Sequence, residues 1–116
     1  MIYEAPGSKG ALLDPKPQYE NFIGGKWVKP VKGQYFDNVS PTNGKNFTKI
    51  PRSTSEDIEL ALDAAHAAAD AWGKTSVTER SIILNKIADR MEQNLEMLAV
   101  AETYDNGKGV RETLAA

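Results

Sequence analysis

The chain has 116 residues, of which 41% are hydrophobic and 26% charged, with a formal net charge of −2; this is the make-up of an ordinary folded domain or of one piece of a larger one. That balance argues against a nucleic-acid or acidic-membrane partner, and no run approaches the roughly 20 apolar residues of a membrane span. With no cysteine and a single histidine, His66, disulfides, thiolate metal sites, a cysteine nucleophile and multi-histidine zinc centres are all excluded within these residues.

Residues Met1 to Tyr19 carry Pro6, Gly7, Gly10, Pro15 and Pro17 and show no sustained period, the texture of an extended arm that gains order only by lying on something else. Its start, Met1-Ile2-Tyr3-Glu4-Ala5, lacks the basic and apolar runs of a secretory signal, so the expected location is cytoplasmic. The sequons Asn38-Val39-Ser40 and Asn46-Phe47-Thr48 are accordingly expected to go unused. From Glu20 to Pro51 the signals are strand and turn. Phe22-Ile23 and Trp27-Val28 flank Gly24-Gly25, a pair suited to a tight hairpin. Tyr35 to Val39 predicts a second strand pair, turned by Thr42-Asn43-Gly44-Lys45 and returned by Asn46 to Ile50 up to Pro51. Two short hairpins are marginal alone and need a partner surface.

From Ser53 the period becomes helical. Thr54 with Asp57 predicts a capping box. Ile58, Ala61, Leu62, Ala65, Ala68, Ala69 and Trp72 then recur on one alanine-rich face, and Gly73 ends the helix. A second box, Ser76 with Glu79, opens a helix whose expected buried stripe is Ile83, Leu84, Ile87, Ala88 and Met91. Asn94 is expected to stop that helix and cap the third, which carries Leu95, Leu98, Ala99 and Ala101 before Gly107. Val110 to Ala116 predicts the first turns of a fourth helix, too short to stand by itself; the expectation is therefore a segment of a longer chain.

Local motifs offer little chemistry. Gly73-Lys74-Thr75 has the tail of a phosphate loop, but its leading glycine would fall on Ala68 inside a helix. Gly107-Lys108-Gly109 begins a dinucleotide fingerprint whose third glycine would fall on Glu112. Helix termination accounts for both better. His66 between Asp63 and Asp70 is more simply an exposed helix residue than a base. Glu102 and Asp105 read as a solvated helix end rather than an acid–base pair, and Trp27 and Trp72 as packing anchors rather than stacking platforms.

The run Glu102-Thr103-Tyr104-Asp105-Asn106-Gly107-Lys108 carries more information than a helix end requires. With Phe22-Ile23-Gly24-Gly25-Lys26-Trp27, Val39-Ser40-Pro41-Thr42-Asn43-Gly44-Lys45, the capped helix from Thr54, Trp72 and the helix bearing Arg80, Leu84 and Ala88-Asp89, it resembles the opening of NAD(P)-dependent aldehyde dehydrogenases. The resemblance covers about Tyr19 to Ala116, and the tail from Gly109 is similar to bacterial members acting on acetaldehyde or other small aliphatic aldehydes. It implies an α/β parent fold, with residues 1–19 as the arm and 20–116 as the first part of the cofactor-binding domain. It also implies a homo-oligomeric enzyme that oxidises an aldehyde to a carboxylic acid. In that family a cysteine attacks the carbonyl, hydride passes to NAD or NADP, and a glutamate-activated water releases the acyl group while an asparagine amide stabilises the oxyanion. Those residues and the dinucleotide loop have no counterpart here, so the segment is expected to act as scaffold for the remainder of its own polypeptide.

One ligand set does carry over. The family's structural monovalent cation, held by backbone oxygens and an aspartate, maps onto Asn38, Val39 and Asp105, oxygen donors suited to a hard cation. The competing reading from a different class is a standalone helical interaction module presenting the Ile58-to-Trp72 stripe to a partner protein.

Overall fold

A computed structural model of the chain describes residues 3–115; Met1 and Ile2 of the expected arm and Ala116 of the expected fourth helix lie outside the described residues. β1 (Asn21–Ile23) and β2 (Lys26–Val28) pair antiparallel, with Phe22 opposite Trp27. The chain reverses through Gly24 and Gly25, at φ 61° and 79°, which is the positive-φ pair that a two-residue hairpin turn demands. The Phe22 and Trp27 rings meet with centroids 5.1 Å apart. β3 (Tyr35–Val39) and β4 (Asn46–Pro51) form a second antiparallel pair, whose register shifts between Asn38 and Val39. β4 ends on Pro51 itself, a strand end being the place where a missing N–H costs least.

The arm does not wait for a foreign surface. Tyr19 N–H donates to the Lys49 carbonyl at 2.9 Å and Lys49 N–H to that of Pro17 at 3.0 Å, while the Thr48 hydroxyl donates to the Lys16 carbonyl at 2.7 Å. Gln18 thereby makes a parallel bridge to Lys49 along the outer edge of β4. The physical reason is the open edge: its alternating N–H and C=O groups need partners, and any extended backbone can supply them. Upstream, Gly7 N–H closes a compact loop onto the Leu13 carbonyl at 3.0 Å.

Four helices follow: α1 (Ser55–Gly73), α2 (Val77–Gln93), α3 (Leu95–Asn106) and α4 (Val110–Ala115). At α1 the cap is carried by the carboxylate, since Asp57 Oδ2 accepts Thr54 N–H at 2.8 Å. At α2 both halves of the box close: Ser76 Oγ accepts Glu79 N–H at 3.1 Å, and Glu79 Oε2 accepts Ser76 N–H at 3.0 Å. Ser76→Ala is therefore expected to cost about 1 kcal/mol in a urea unfolding curve. Asn94 corrects the sequence reading. Its amide donates back to the Arg90 carbonyl at 2.8 Å and makes no side-chain cap on α3, so its side chain closes the end of α2 while its carbonyl, accepting Leu98 N–H at 3.0 Å, opens α3 as the N-cap. One residue is the joint between the two helices, and of its two side-chain groups the donor finds a free carbonyl first.

The expected stripes form faces but not a core. Ile58, Leu62 and Trp72 on α1 remain exposed, as do Ile83, Leu84, Ile87 and Met91 on α2; the β1–β2 hairpin lies beside Ala61, Ala65 and Ala68 of α1, and Met97 and Leu98 of α3 beside Ile83, Ile87 and Met91 of α2, without burying either face. Among the described residues the buried ones are Ala99 and Val100 of α3, Pro30 between β2 and β3, and the polar Ser40, Thr48, Asp57 and Thr113. The core thus sits where α3 meets α4 and the β3–β4 turn. With a radius of gyration of 17.4 Å and extents of 47 × 38 × 21 Å, the chain is more spread out than the ~13 Å of a compact domain of this length.

Candidate functional site

The junction between β3 and the C-terminal end of α3 gathers the residues that the sequence marks. Gly107, at φ 81°, ends α3 in the left-handed region and returns its N–H to the Thr103 carbonyl at 2.8 Å. Asn106 Oδ1 accepts Lys108 N–H at 2.8 Å and shapes the exit. A helix end of this kind exposes carbonyl oxygens and carries a negative partial charge, to which Asp105 adds a full one. The segment leaving β3 answers with donors at alternate positions. Asn38 Nδ2 donates to Asp105 Oδ1 at 2.8 Å, Ser40 Oγ to the Tyr104 carbonyl at 2.6 Å, and Thr42 Oγ1 to the Thr103 carbonyl at 3.4 Å. Ser40 is fully buried, and its oxygen also accepts Thr42 N–H at 3.2 Å. Pro41, between two of these donors, packs against Gly107.

The structure brings Asn38 and Asp105 together, with Val39 next to them at the register shift. Two carbonyls and a carboxylate are the right chemistry for a hard monovalent cation. The Asp105 carboxylate, however, faces an N–H donor of the same chain, and an amide's positive end and a cation cannot share one oxygen along one approach. In this arrangement one oxygen of the Asp105 carboxylate, Oδ1, is taken by the Asn38 amide. Among the described residues there is no group of three or more His, Cys, Asp or Glu that could hold a metal.

The other marked residues are spread across separate surfaces. Glu102 and Asp105 are engaged by different partners: Glu102 Oε1 accepts the Asn106 amide at 3.4 Å, while Asp105 Oδ1 accepts that of Asn38. A cavity of about 390 Å³ beside them is walled by Leu13, Pro15 and Tyr19 of the arm, Phe47 of β4 and Ala101 of α3. His66 is exposed, and Asp70 bonds Lys74 at 2.9 Å. Gly73 closes α1 and Gly107 closes α3, so both serve helix ends. Trp27 meets Phe22 at a tilted angle of 59° and has the Lys16 ammonium 5.4 Å from its ring centre.

Two polar ties escape the sequence reading. The Tyr35 hydroxyl donates to Glu20 Oε2 at 2.6 Å, and this bond to a carboxylate pushes the phenol up to about 12. Asp57 Oδ1 accepts Val31 N–H at 2.8 Å, which fastens the β2–β3 connection to the head of α1. Backbone N–H donation, first from Thr54 and then from Val31, holds the Asp57 carboxyl below its ordinary value against the opposing effect of burial.

Comparison with known proteins places this architecture. Residues 27–116 match the model of the aldehyde dehydrogenase family. The chain is 70% identical over its whole length to an acetaldehyde dehydrogenase of Pseudomonas aeruginosa, covering 23% of that protein. It is 69% identical, again over its whole length, to a long-chain-aldehyde dehydrogenase of an Acinetobacter species, covering 23% of it. The crystal structure of an NAD-dependent aldehyde dehydrogenase from Sinorhizobium meliloti superposes with a TM-score of 0.82 at 32% identity, over 97% of this chain and 23% of that one. The chain thus spans less than a quarter of the length of these relatives. It belongs to the aldehyde dehydrogenase family.

Proposed function

We propose that residues 20–116 are the first part of the cofactor-binding domain of an enzyme that oxidises an aldehyde to a carboxylic acid with NAD(P), and that residues 1–19 are its N-terminal arm. One observation carries this reading: the chain exposes 8632 Å², whereas a self-contained protein of 12.7 kDa exposes about 6,200 Å². The excess of roughly 2,400 Å² has the size of an obligate interface, and the exposed stripes of α1 and α2 give it the apolar character such interfaces have. The relatives are more than four times longer than this chain, so the covering surface is assigned to the rest of the polypeptide. On this reading the segment is scaffold. Its own residues fix the β3–α3 junction and present two apolar faces, while the nicotinamide cofactor, which accepts hydride when bound, is held by later parts of the enzyme.

The substrate class is aliphatic. Relatives named for acetaldehyde and for long-chain aldehydes share nearly equal identity with this chain; acetaldehyde is taken as the substrate and longer aldehydes as the comparison. A homo-oligomer in the cytoplasm completes the proposal. The test is an absorbance assay of NAD and NADP reduction. The polypeptide continued past Ala116 to the length of its relatives is expected to turn over acetaldehyde, and the 116-residue chain to reduce neither cofactor. Turnover by the short chain after stringent purification, or none by the long one, would overturn the reading.

A further inference from the structure

We infer that the β3–α3 junction is closed by the chain's own side-chain donors and needs no cation, the Asn38 amide standing on Asp105 where a monovalent ion would have to bind. The inference rests on the contact between strand and helix and is independent of the proposed enzymatic activity. The negative end of α3 offers three acceptors in sequence: the Thr103 carbonyl, the Tyr104 carbonyl and the Asp105 carboxylate. Three donors two residues apart, on Thr42, Ser40 and Asn38, meet them one for one. Asn38 stands near the end of β3, Ser40 just beyond it and Thr42 in the following turn, so the strand end and its turn together deliver all three.

Each position matches its acceptor by reach. The short hydroxyls of Ser40 and Thr42 reach main-chain carbonyls, and the longer amide of Asn38 spans the 2.8 Å contact to a carboxylate one residue further along. Gly107 N–H adds a fourth donor on the Thr103 carbonyl. An ion bound at Asp105 Oδ1 would have to turn the Asn38 amide away, and it would do so where solvent already screens the carboxylate. The other carboxylate lining the same cavity, that of Glu102, is engaged by the Asn106 amide at 3.4 Å.

The test is thermal unfolding of the full-length protein in KCl, NaCl and choline chloride at equal ionic strength, with sodium-23 relaxation as a direct probe of bound ion. Wild-type midpoints are expected to agree within about 1 °C, with no sodium broadening beyond that of bulk solution. Asn38→Ala is expected to unfold a few degrees lower in all three salts. Asn38→Asp sets two carboxylates face to face and is expected to acquire what the wild type lacks: a midpoint depressed in choline and restored by sodium or potassium, with sodium broadening. A wild-type midpoint that falls by several degrees in choline and recovers on adding potassium or sodium overturns the inference. So does an Asn38→Ala midpoint equal to that of the wild type. If the enzyme proposal fails while these melting results hold, the cation inference stands, since none of them reads activity.

Discussion

Replacing Asp57 with alanine is expected to lower the thermal midpoint of the protein by roughly 5–10 °C. The side chain is only 3% exposed, and both of its oxygens are used. Oδ1 accepts Val31 N–H at 2.8 Å, and Oδ2 accepts Thr54 N–H at 2.8 Å with the Thr54 hydroxyl at 3.4 Å. Alanine leaves two backbone donors without an acceptor, and an orphaned donor costs more than the net worth of the bond it lost. It also removes an anion from the positive end of α1. An asparagine side chain keeps one acceptor but turns an NH₂ toward the other N–H, so Asp57→Asn should fall between alanine and wild type.

The same carboxylate sets a pH window. Its folded value is held below the ordinary 3.8 by Thr54 and Val31 N–H donation. A group depressed in this way contributes fully above its unfolded value and loses that contribution as pH falls through the folded one. The gap in midpoint between wild type and Asp57→Asn should therefore be constant above about pH 5 and should close progressively below about pH 4. A gap that persists undiminished in strong acid would show that packing, not the carboxylate charge, sustains it.

Asp57 also marks where sequence reasoning stops. Its role at the head of α1 follows from the Thr54-to-Asp57 spacing, because both groups lie within one helical turn. Its bond to Val31 spans 26 residues, and no local pattern encodes it. The hairpin at Gly24-Gly25, both capping boxes and the left-handed stop at Gly107 are legible for the same reason: each is decided by backbone angles within four or five residues. The arm is the opposite case. Its pairing with Lys49 uses backbone groups that every residue carries, so composition announces an arm but not its resting place. Asn94 lies between, since its position at a helix joint is legible and the direction of its amide is not. The stripes of α1 and α2 are plain in the periodicity, but burial depends on how much lies opposite, and the hairpin and α3 cover these faces only in part. At the candidate site, proximity of Asn38 and Asp105 across 67 residues came from the family resemblance and the structure brings them together. What the resemblance did not contain is the polarity of that contact, a donor on an acceptor.

Gly107→Ala is expected to destabilise the protein by about 2–3 kcal/mol, and the loss should divide into two measurable parts. Holding a side chain in the left-handed region costs about 1–2 kcal/mol, and Gly107 sits there at φ 81°. The added Cβ would also lie 3.1 Å from Pro41 Cγ and 3.6 Å from its Cβ, an overpacking of about 1 kcal/mol. Gly33 separates the two contributions. It has φ 62° and nothing within 4 Å of its would-be Cβ, so Gly33→Ala should show the backbone penalty alone in the same urea titration. The contact also has a structural consequence. Pro41 is flanked by Ser40 and Thr42, whose hydroxyls hold the last carbonyls of α3, so pushing the proline outward should loosen both bonds. Hydrogen exchange at Thr42 N–H, which donates to Ser40 Oγ at 3.2 Å, should then accelerate in Gly107→Ala and stay unchanged in Gly33→Ala. Equal losses at the two glycines, with Thr42 protected in both, would mean that Pro41 gives way freely and that the junction is held by its hydrogen bonds without tight packing.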